Sequence, residues 1–408
     1  MVFILAFLLA GIILILGFLG DYLFKRTRIP DVLILIFLGF LLGPLFKVID
    51  PGDLSSITTL FASLALLVIL FDGGLNFDLF KVFRNSPRAL VLAFLGIFFS
   101  MIVTGIFAIF VLKWNLLNGL LLGAIVGGTS SSIVLPIITR MKVHENISTV
   151  LSLESIFTDA LVVVIAITLL QLLQTPANGN EFSIIASGIA SQFSIGIVIG
   201  GVLGVVWLKV LKHIKGQKYD DILTLAIVML FFALVELLNG NGAIFALTFG
   251  LVLGNGRIIS RMLKISDSIE ASKIMKKFQS QISFLIRTFF FVYLGLIFSV
   301  GNFTLLVYGI ILTFILLITR YLAVYVTSLG NPILNGGRKI LTLMLPRGLA
   351  AAVMAQIVST SNIPNASIYT DIVITVIIAS VVISSLGSFF ASTKQPVKTS
   401  EDSKLSSK

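Results

Sequence analysis

Two carboxylates lie near the middle of one long apolar segment, and they are the residues of this sequence best placed to do chemistry. The segment runs from Asn146 to Leu173 and contains Glu154 and Asp159. A membrane helix over residues 147–172 would place Asp159 close to the bilayer midplane, where lipid cannot solvate a charge. Acids at that depth usually line ion pathways, although two neutral or hydrogen-bonded acids would give the same pattern. We therefore predict a functional site at Asp159.

Helical spacing separates the polar residues of this segment into two stripes. Each residue of an α-helix turns by about 100°, so Ser155 and Asp159 share one stripe. Glu154 and Thr158 fall on a second stripe, which is rotated away from the first. The two acids are therefore predicted to have different roles.

The composition is that of a membrane protein. Of 408 residues, 57% are hydrophobic and 12% are charged, and the mean hydropathy is +1.11. Only helices and closed barrels satisfy their backbone in lipid, and the apolar runs do not alternate as barrel strands would. The first run has no secretory cleavage pattern and is interpreted as a true span. The absence of cysteine excludes disulfides and thiolate metal sites.

We predict an all-α polytopic protein with about thirteen transmembrane helices within residues 1–392, followed by a disordered cytoplasmic tail at 393–408. The predicted spans are 2–20, 31–46, 57–71, 89–112, 116–139, 147–172, 184–208, 222–238, 242–256, 282–299, 303–329, 340–359 and 368–391. Asp72, at the end of the third span, is predicted to be an interfacial residue.

Basic residues alternate between the connections in a way that predicts orientation. The even-numbered loops hold only Lys47 and Lys113, whereas most of the 29 Lys and Arg residues lie in odd-numbered loops and the tail. By the positive-inside rule, the amino terminus lies outside and the carboxyl terminus lies in the cytoplasm of a cell-membrane protein. The net charge of +11 then faces anionic lipid and not nucleic acid. Arg287, Arg320 and Arg347 remain inside spans as candidate partners for the buried acids.

Two spans at corresponding positions of a predicted inverted repeat have interrupted sequences. The fifth contains a run of glycine and hydroxyl residues from Gly127 to Ser132, and the twelfth contains Pro346-Arg347-Gly348. Such interruptions are typical of broken helices, whose free carbonyls and helix ends hold ions at the midplane. Ordinary glycine-containing membrane helices are the alternative.

These residues resemble those of the monovalent cation:proton antiporter family of the sodium/proton exchanger superfamily. The resemblance rests on Phe71-Asp72-Gly73-Gly74-Leu75, Glu154-Ser155 with Thr158-Asp159, residues 242–255, and Pro346-Arg347-Gly348. It implies a homodimer with a mobile core, about 89–172 and 303–391, and a scaffold, about 2–71 and 222–299. Two broken helices are expected to cross inside the core.

The resemblance also implies individual roles. Asp159 matches the aspartate that binds the ion and the proton, and Glu154 matches the acid that pairs with an arginine, here Arg347. Thr129 and Ser130 fall at the break where the family has ion-coordinating oxygens. The sequence departs from the family in having Thr158 before the aspartate, where Asn or Asp is usual. It also has Ser130 where an aspartate is common.

A single carboxylate can exchange ions if a proton and a hard cation compete for the same oxygens. Sodium and potassium prefer oxygen ligands. We predict that Asp159 binds Na⁺ or K⁺, and that the neighbouring ligands are Ser155, Thr158, Thr129 and Ser130. No cofactor is implied beyond the transported ions, and the lack of a nucleophile and base pair in the spans argues against an enzyme.

The predicted function is therefore electroneutral exchange of Na⁺, and also Li⁺, for H⁺. The serine-rich break and Thr158 favour K⁺/H⁺ exchange as the alternative. A sodium-coupled organic anion symporter is a more distant one, because that class shares the broken-helix plan. Arg287 is predicted to modulate the site, either by stabilising a neighbouring helix break or by competing with the cation near Asp159. The alternative is that it snorkels to the cytoplasmic face of the membrane.

Overall fold

The computed structural model describes residues 11–20, 30–49, 51–77, 87–141, 143–174, 182–214, 219–262, 273–298 and 302–392, with the single residues 8, 22 and 217. All regular elements in these ranges are helices. The all-α fold that composition predicted is confirmed. The predicted tail at 393–408 and the start of the first predicted span lie outside the described residues.

Seventeen helices are described, of which several are short pieces of one span. In chain order they are α1 (Gly11–Gly20), α2 (Asp31–Leu45), α3 (Pro51–Asn76), α4 (Pro87–Leu112), α5 (Leu116–Ile125), α6 (Ser131–Met141), α7 (Glu145–Gln174), α8 (Phe182–Ile214), α9 (Asp220–Leu237), α10 (Gly242–Gly254), α11 (Gly256–Met262), α12 (Lys273–Ile297), α13 (Phe303–Ser328), α14 (Pro332–Gly336), α15 (Arg338–Leu343), α16 (Leu349–Ser359) and α17 (Ala366–Ser392).

Each of the thirteen predicted spans coincides with a helix or a pair of helices in these ranges. The fifth is split into α5 and α6, and the twelfth is split into α15 and α16, as the interrupted sequences predicted. Six described helices are long and apolar enough to cross a membrane on length and composition alone, or seven if α10 and α11 count as one. The ninth predicted span, 242–256, corresponds to α10, and α11 follows it at an angle of 79°.

The helices pack in two groups, which we name after the prediction. The scaffold group is α2, α3 and α8 to α12, in which α10 packs against α3 and α8, and α12 packs against α2 and α3. The core group is α4 to α7 and α13 to α17, in which α4 packs against α5, α7 and α13, and α17 packs against α13 and α16. The two groups meet where α3 contacts α7 and α16, and where α12 contacts α16.

Glycine permits a close crossing of α3 and α10 in the scaffold group. A Cβ atom on Gly74 would lie 2.3 Å from the carbonyl oxygen of Leu247, and one on Gly250 would lie 2.4 Å from the carbonyl oxygen of Phe71. Both distances are far below van der Waals contact, so no larger residue fits without separating α3 from α10. This close packing of the small residues of 242–255 holds α3 at a defined position beside the core group.

Candidate ion-binding site

The two helix interruptions meet inside the core group. Residues 126–130 connect α5 to α6, and residues 344–348 connect α15 to α16. The backbone amide of Ser130 donates a hydrogen bond of 2.8 Å to the carbonyl oxygen of Pro346. A Cβ atom on Gly348 would lie 2.1 Å from Ser130 Oγ, so glycine is needed for this approach. The two broken spans therefore cross in direct backbone contact.

Arg347 satisfies backbone groups that the first interruption leaves free. Its guanidinium donates to the carbonyl oxygen of Gly127 at 3.1 Å and also to that of Gly128. Its own backbone amide donates to Ser380 Oγ at 3.0 Å. A helix leaves its last carbonyls unpaired and its carboxyl end partly negative, so a buried cation here stabilises the end of α5. Arg347 is 3% exposed and so lies within the protein interior.

Asp159 faces the beginning of α6. One of its carboxylate oxygens, Oδ2, accepts hydrogen bonds from the backbone amide of Ser131 at 3.1 Å and from Ser131 Oγ at 2.6 Å. Ser131 is the first residue of α6, and the amino end of a helix offers free amides to an anion. Asp159 is only partly buried, in contrast to Glu154 on the same helix.

A cavity of about 590 Å³ lies between the two groups of helices and reaches Asp159. Asp159 and Ser131 lie on its core side, whereas Asp72 and Arg287 lie on its scaffold side together with Lys277, which is exposed. The space is large enough for a cation with several water molecules. The remaining lining residues are Ile69, Gly73, Asn76, Ser130, Ser132, Leu135, Ile156, Ser280, Gln281, Ser283, Phe284, Leu349 and Ala350.

Glu154 is paired with Arg320 and not with Arg347, so the pair that the family resemblance implied needs correction. The two guanidinium nitrogens of Arg320 donate to the two carboxylate oxygens of Glu154, with Nη2 to Oε2 at 2.8 Å and a second contact from Nη1 to Oε1. Arg320 Nε donates to the carbonyl oxygen of Leu341 at 3.0 Å. The guanidinium of Arg347 is not available to Glu154, because it already donates to the carbonyl oxygens that follow α5. Helix α13 instead presents Arg320 with the fork geometry that a carboxylate prefers.

The predicted neighbours of Asp159 lie in different surroundings within the core group. Thr129 Oγ1 donates to Glu154 Oε1 at 3.3 Å, and the Thr129 backbone amide donates to Thr158 Oγ1 at 3.1 Å. Thr129 and Thr158 therefore connect the break to the Glu154 side of α7. Ser130 Oγ is 3.0 Å from Ser132 Oγ and lines the cavity. Ser155 is fully buried, and its hydroxyl donates to the carbonyl oxygen of Leu151.

Ser131 and Asp72 line the cavity but were not among the predicted ligands. The family resemblance points to Thr129 and Ser130, whereas the signal for Ser131 is its place in the serine run at the start of α6. Asp72 was predicted to be interfacial because the span was ended at Phe71. In the structure α3 continues to Asn76, whose side chain donates to Asp72 Oδ1 at 2.9 Å, so Asp72 lies inside the helix on the cavity. The Phe71-Asp72-Gly73-Gly74 motif was the available signal.

Arg287, the predicted modulator, does line the cavity. Its Nη2 is 3.3 Å from Oδ2 of Asp31, and its side chain is 17% exposed. It therefore has a carboxylate partner within the protein, which the alternative of snorkelling to the membrane surface did not anticipate.

Within this bundle of apolar helices, two interrupted helices cross beside a carboxylate that faces an open cavity. This is the architecture of a secondary ion transporter. The chain belongs to the sodium/hydrogen exchanger family, since the profile described as "Sodium/hydrogen exchanger, transmembrane" matches residues 9–392.

Known relatives agree with this assignment. The solved structure of the sodium proton antiporter MjNhaP1 from Methanocaldococcus jannaschii at pH 8 has the same fold, with a TM-score of 0.76 and 24% identity over 96% of this chain and 97% of that chain. The K(+)/H(+) antiporter NhaP2 of Shewanella baltica is 27% identical over 390 residues, which is 92% of this chain and 64% of that protein. The probable Na(+)/H(+) antiporter 2 of Methanocaldococcus jannaschii is 28% identical over 82% of this chain and 80% of its own length. The chain thus spans less than two thirds of the length of the Shewanella relative.

Proposed function

We propose that the protein is an antiporter that exchanges Na⁺, and also Li⁺, for H⁺ across the cell membrane. The observation that supports this most directly is the position of Asp159 on the wall of an open cavity, where its carboxylate accepts hydrogen bonds only from Ser131 among the described residues. A carboxylate in that position can bind either a proton or a metal cation. Because one excludes the other, loading of a cation releases a proton.

The proposed cation ligands are oxygens. Asp159 supplies the charge, and Ser130, Thr129, Thr158 and Ser155 supply the neutral oxygens predicted from sequence. Ser131 and Asp72 join this set because they line the same cavity as Asp159. Hard monovalent cations prefer such oxygen ligands.

We propose a one-for-one, electroneutral exchange based on Asp159. Asp72 is a second carboxylate in the cavity, but it shares the scaffold side with two basic residues, Lys277 and Arg287. Asp159 has a hydroxyl and an amide as partners instead. The charge of Asp159 is therefore the one that the transported ion must balance.

Movement of the core group, α4 to α7 and α13 to α17, against the scaffold group, α2, α3 and α8 to α12, would expose the site to each side in turn. The cavity between the groups supports this division. With the amino terminus outside and the carboxyl terminus in the cytoplasm, Lys277 belongs to a cytoplasmic connection, and the cavity opens toward the cytoplasm. We further propose a homodimer.

K⁺/H⁺ exchange is the second candidate function. The serine-rich break supports it, as does the likeness to relatives named K(+)/H(+) antiporters. An organic anion symporter is less well supported, because Arg347 and Arg320 are bound within the protein and the cavity contains two carboxylates.

The test uses purified protein in proteoliposomes with a trapped pH dye. We expect dequenching on addition of Na⁺ or Li⁺ and none on addition of an organic anion, with Asp159→Asn as the inactive control. Dequenching by K⁺ alone would select the second candidate. A robust current under a cation gradient would contradict the one-for-one count, and an unresponsive dye with all three cations would refute antiport.

A further inference from the structure

Arg287 lies between acidic side chains in two different environments. On one side Asp31, at the beginning of α2, is 3.3 Å from Arg287 Nη2. On the other side lies the cavity, whose wall contains Arg287 together with Asp72 and Asp159. The helix α12, which presents Arg287, packs against both α2 and α3. The guanidinium thus has an acid outside the cavity and two acids on its walls.

The position of Asp31 is well defined. Asp31 is the first residue of α2 and is 5% exposed, and the amino end of a helix favours a negative charge. Further along the same helix, a Cβ atom on Gly39 would lie 1.9 Å from the carbonyl oxygen of Val292, and one on Gly295 would lie 2.1 Å from that of Ile36. This close crossing of α2 and α12 fixes the register between Asp31 and Arg287.

The guanidinium of Arg287 is only partly satisfied by this contact. It has five N–H donors in a fork that suits a carboxylate. Among the described residues, one hydrogen bond to Asp31 is formed and the buried Nε has no acceptor. The Phe284 ring is 5.7 Å from the guanidinium carbon, a weaker contact. A half-buried arginine in this state would take another carboxylate if Asp31 did not hold it.

We propose that Asp31 is a positioning residue that holds the Arg287 guanidinium at α2, and thereby keeps it from competing with the transported cation for the carboxylates of the cavity. Without Asp31, Arg287 would act as a tethered internal cation at Asp72 or Asp159, and a transported ion would have to displace it. The proposal rests on the proposed function, since it concerns cation binding at that same site.

The test measures exchange rate against Na⁺ concentration, or K⁺ if that is the ion, for wild type, Asp31→Asn, Arg287→Gln and the double variant. We expect Asp31→Asn to raise KM by about tenfold or more, the size of one charge-assisted hydrogen bond that must be broken before the cation binds. kcat should stay within about twofold, since competition affects binding and not the later steps. The double variant should return KM to about the value of Arg287→Gln.

Asp220→Asn is the matched control, because it removes an aspartate from the start of α9, away from the cavity, and should leave KM unchanged. An unchanged KM for Asp31→Asn, or a loss of kcat alone, would mean that Asp31 is merely structural. A double variant with the KM of Asp31→Asn would exclude Arg287 as the competitor.

If Asp31→Asn does not fold, Asp31→Glu replaces it. An intermediate rise in KM is then expected, and an unchanged KM is the contrary result. Wild-type protein without exchange would refute the proposed function and this inference together, whereas active wild type with any contrary result refutes only the inference.

Discussion

Glu154 and Asp159 lie five positions apart on one helix, and their surroundings differ in almost every respect. Glu154 is 2% exposed and is bound by the fork of Arg320 and by Thr129. Asp159 is partly exposed to a cavity and accepts hydrogen bonds from Ser131 alone among the described residues. One acid has its charge neutralised inside the protein, and the other has not.

This difference shows how one helix can carry an acid with a structural role and a second acid that remains available to bind an ion. A buried bidentate pair fixes three elements at once, because Arg320 comes from α13, Glu154 from α7 and Thr129 from the break after α5. A carboxylate that holds an exchangeable ion must instead keep acceptor capacity free and must be reached by water. The five-residue separation turns the two side chains to different faces of α7.

The largest effect on transport should come from Asp159→Asn. The amide keeps the size of the side chain but removes the charge, so no cation is held and exchange should fall to background in the dye assay. The thermal midpoint in detergent should stay close to wild type, because no ion pair is broken. Measurable exchange by a stable Asp159→Asn protein would assign the site to another residue.

Glu154→Gln should show the opposite pattern, with its main effect on stability. Removal of one partner leaves the Arg320 charge buried and unpaired, which typically costs about 3–5 kcal/mol. The thermal midpoint is the measurement, and we expect a clear decrease for Glu154→Gln and for Arg320→Gln.

The double variant Glu154→Gln with Arg320→Gln is the control for this pair. Removing both charges should recover part of the stability, because replacement of a whole buried pair is often tolerated. If the decreases in thermal midpoint of the two single variants simply add in the double variant, the two side chains do not act as a pair. If instead Arg347→Gln is rescued by Glu154→Gln, the pair implied by the family resemblance would be restored.

The comparison also shows what could be predicted from the sequence. Periodicity separated Glu154 from Asp159, and glycine, proline and hydroxyl residues located both helix breaks, because these depend on local chemistry. The partner of Glu154 could not be found in this way. Arg320 and Arg347 were both candidates, and the choice depends on how α13 and the break between α15 and α16 lie around α7, which is a tertiary arrangement. Asp72 was missed for a similar reason, since a hydropathy boundary does not show that α3 continues past Phe71 beside the core group.

Ser131→Ala should have an intermediate effect. It removes the 2.6 Å hydroxyl contact to Asp159 while the backbone amide contact at 3.1 Å remains. A hydrogen bond to a charged group contributes enough to change cation KM by about tenfold, and we expect a change of this order with folding unaffected. Ser132→Ala, at the neighbouring position, is the control and should change KM less. Equal effects of the two variants would remove Ser131 from the site.

Ser155→Ala should have the smallest effect, although Ser155 shares the predicted stripe with Asp159. Its hydroxyl proton is directed to the carbonyl oxygen of Leu151 and its side chain is fully buried, so only a lone pair is left for an ion. Loss of one neutral ligand of this kind should raise KM by roughly threefold, less than the loss of Ser131. Titration of the exchange rate with Na⁺ or K⁺ for the two alanine variants side by side gives the order directly. A larger KM change for Ser155→Ala would mean that the ion lies deeper, toward the Glu154 side of α7, and that the separation between the two acids is less complete than their contacts indicate.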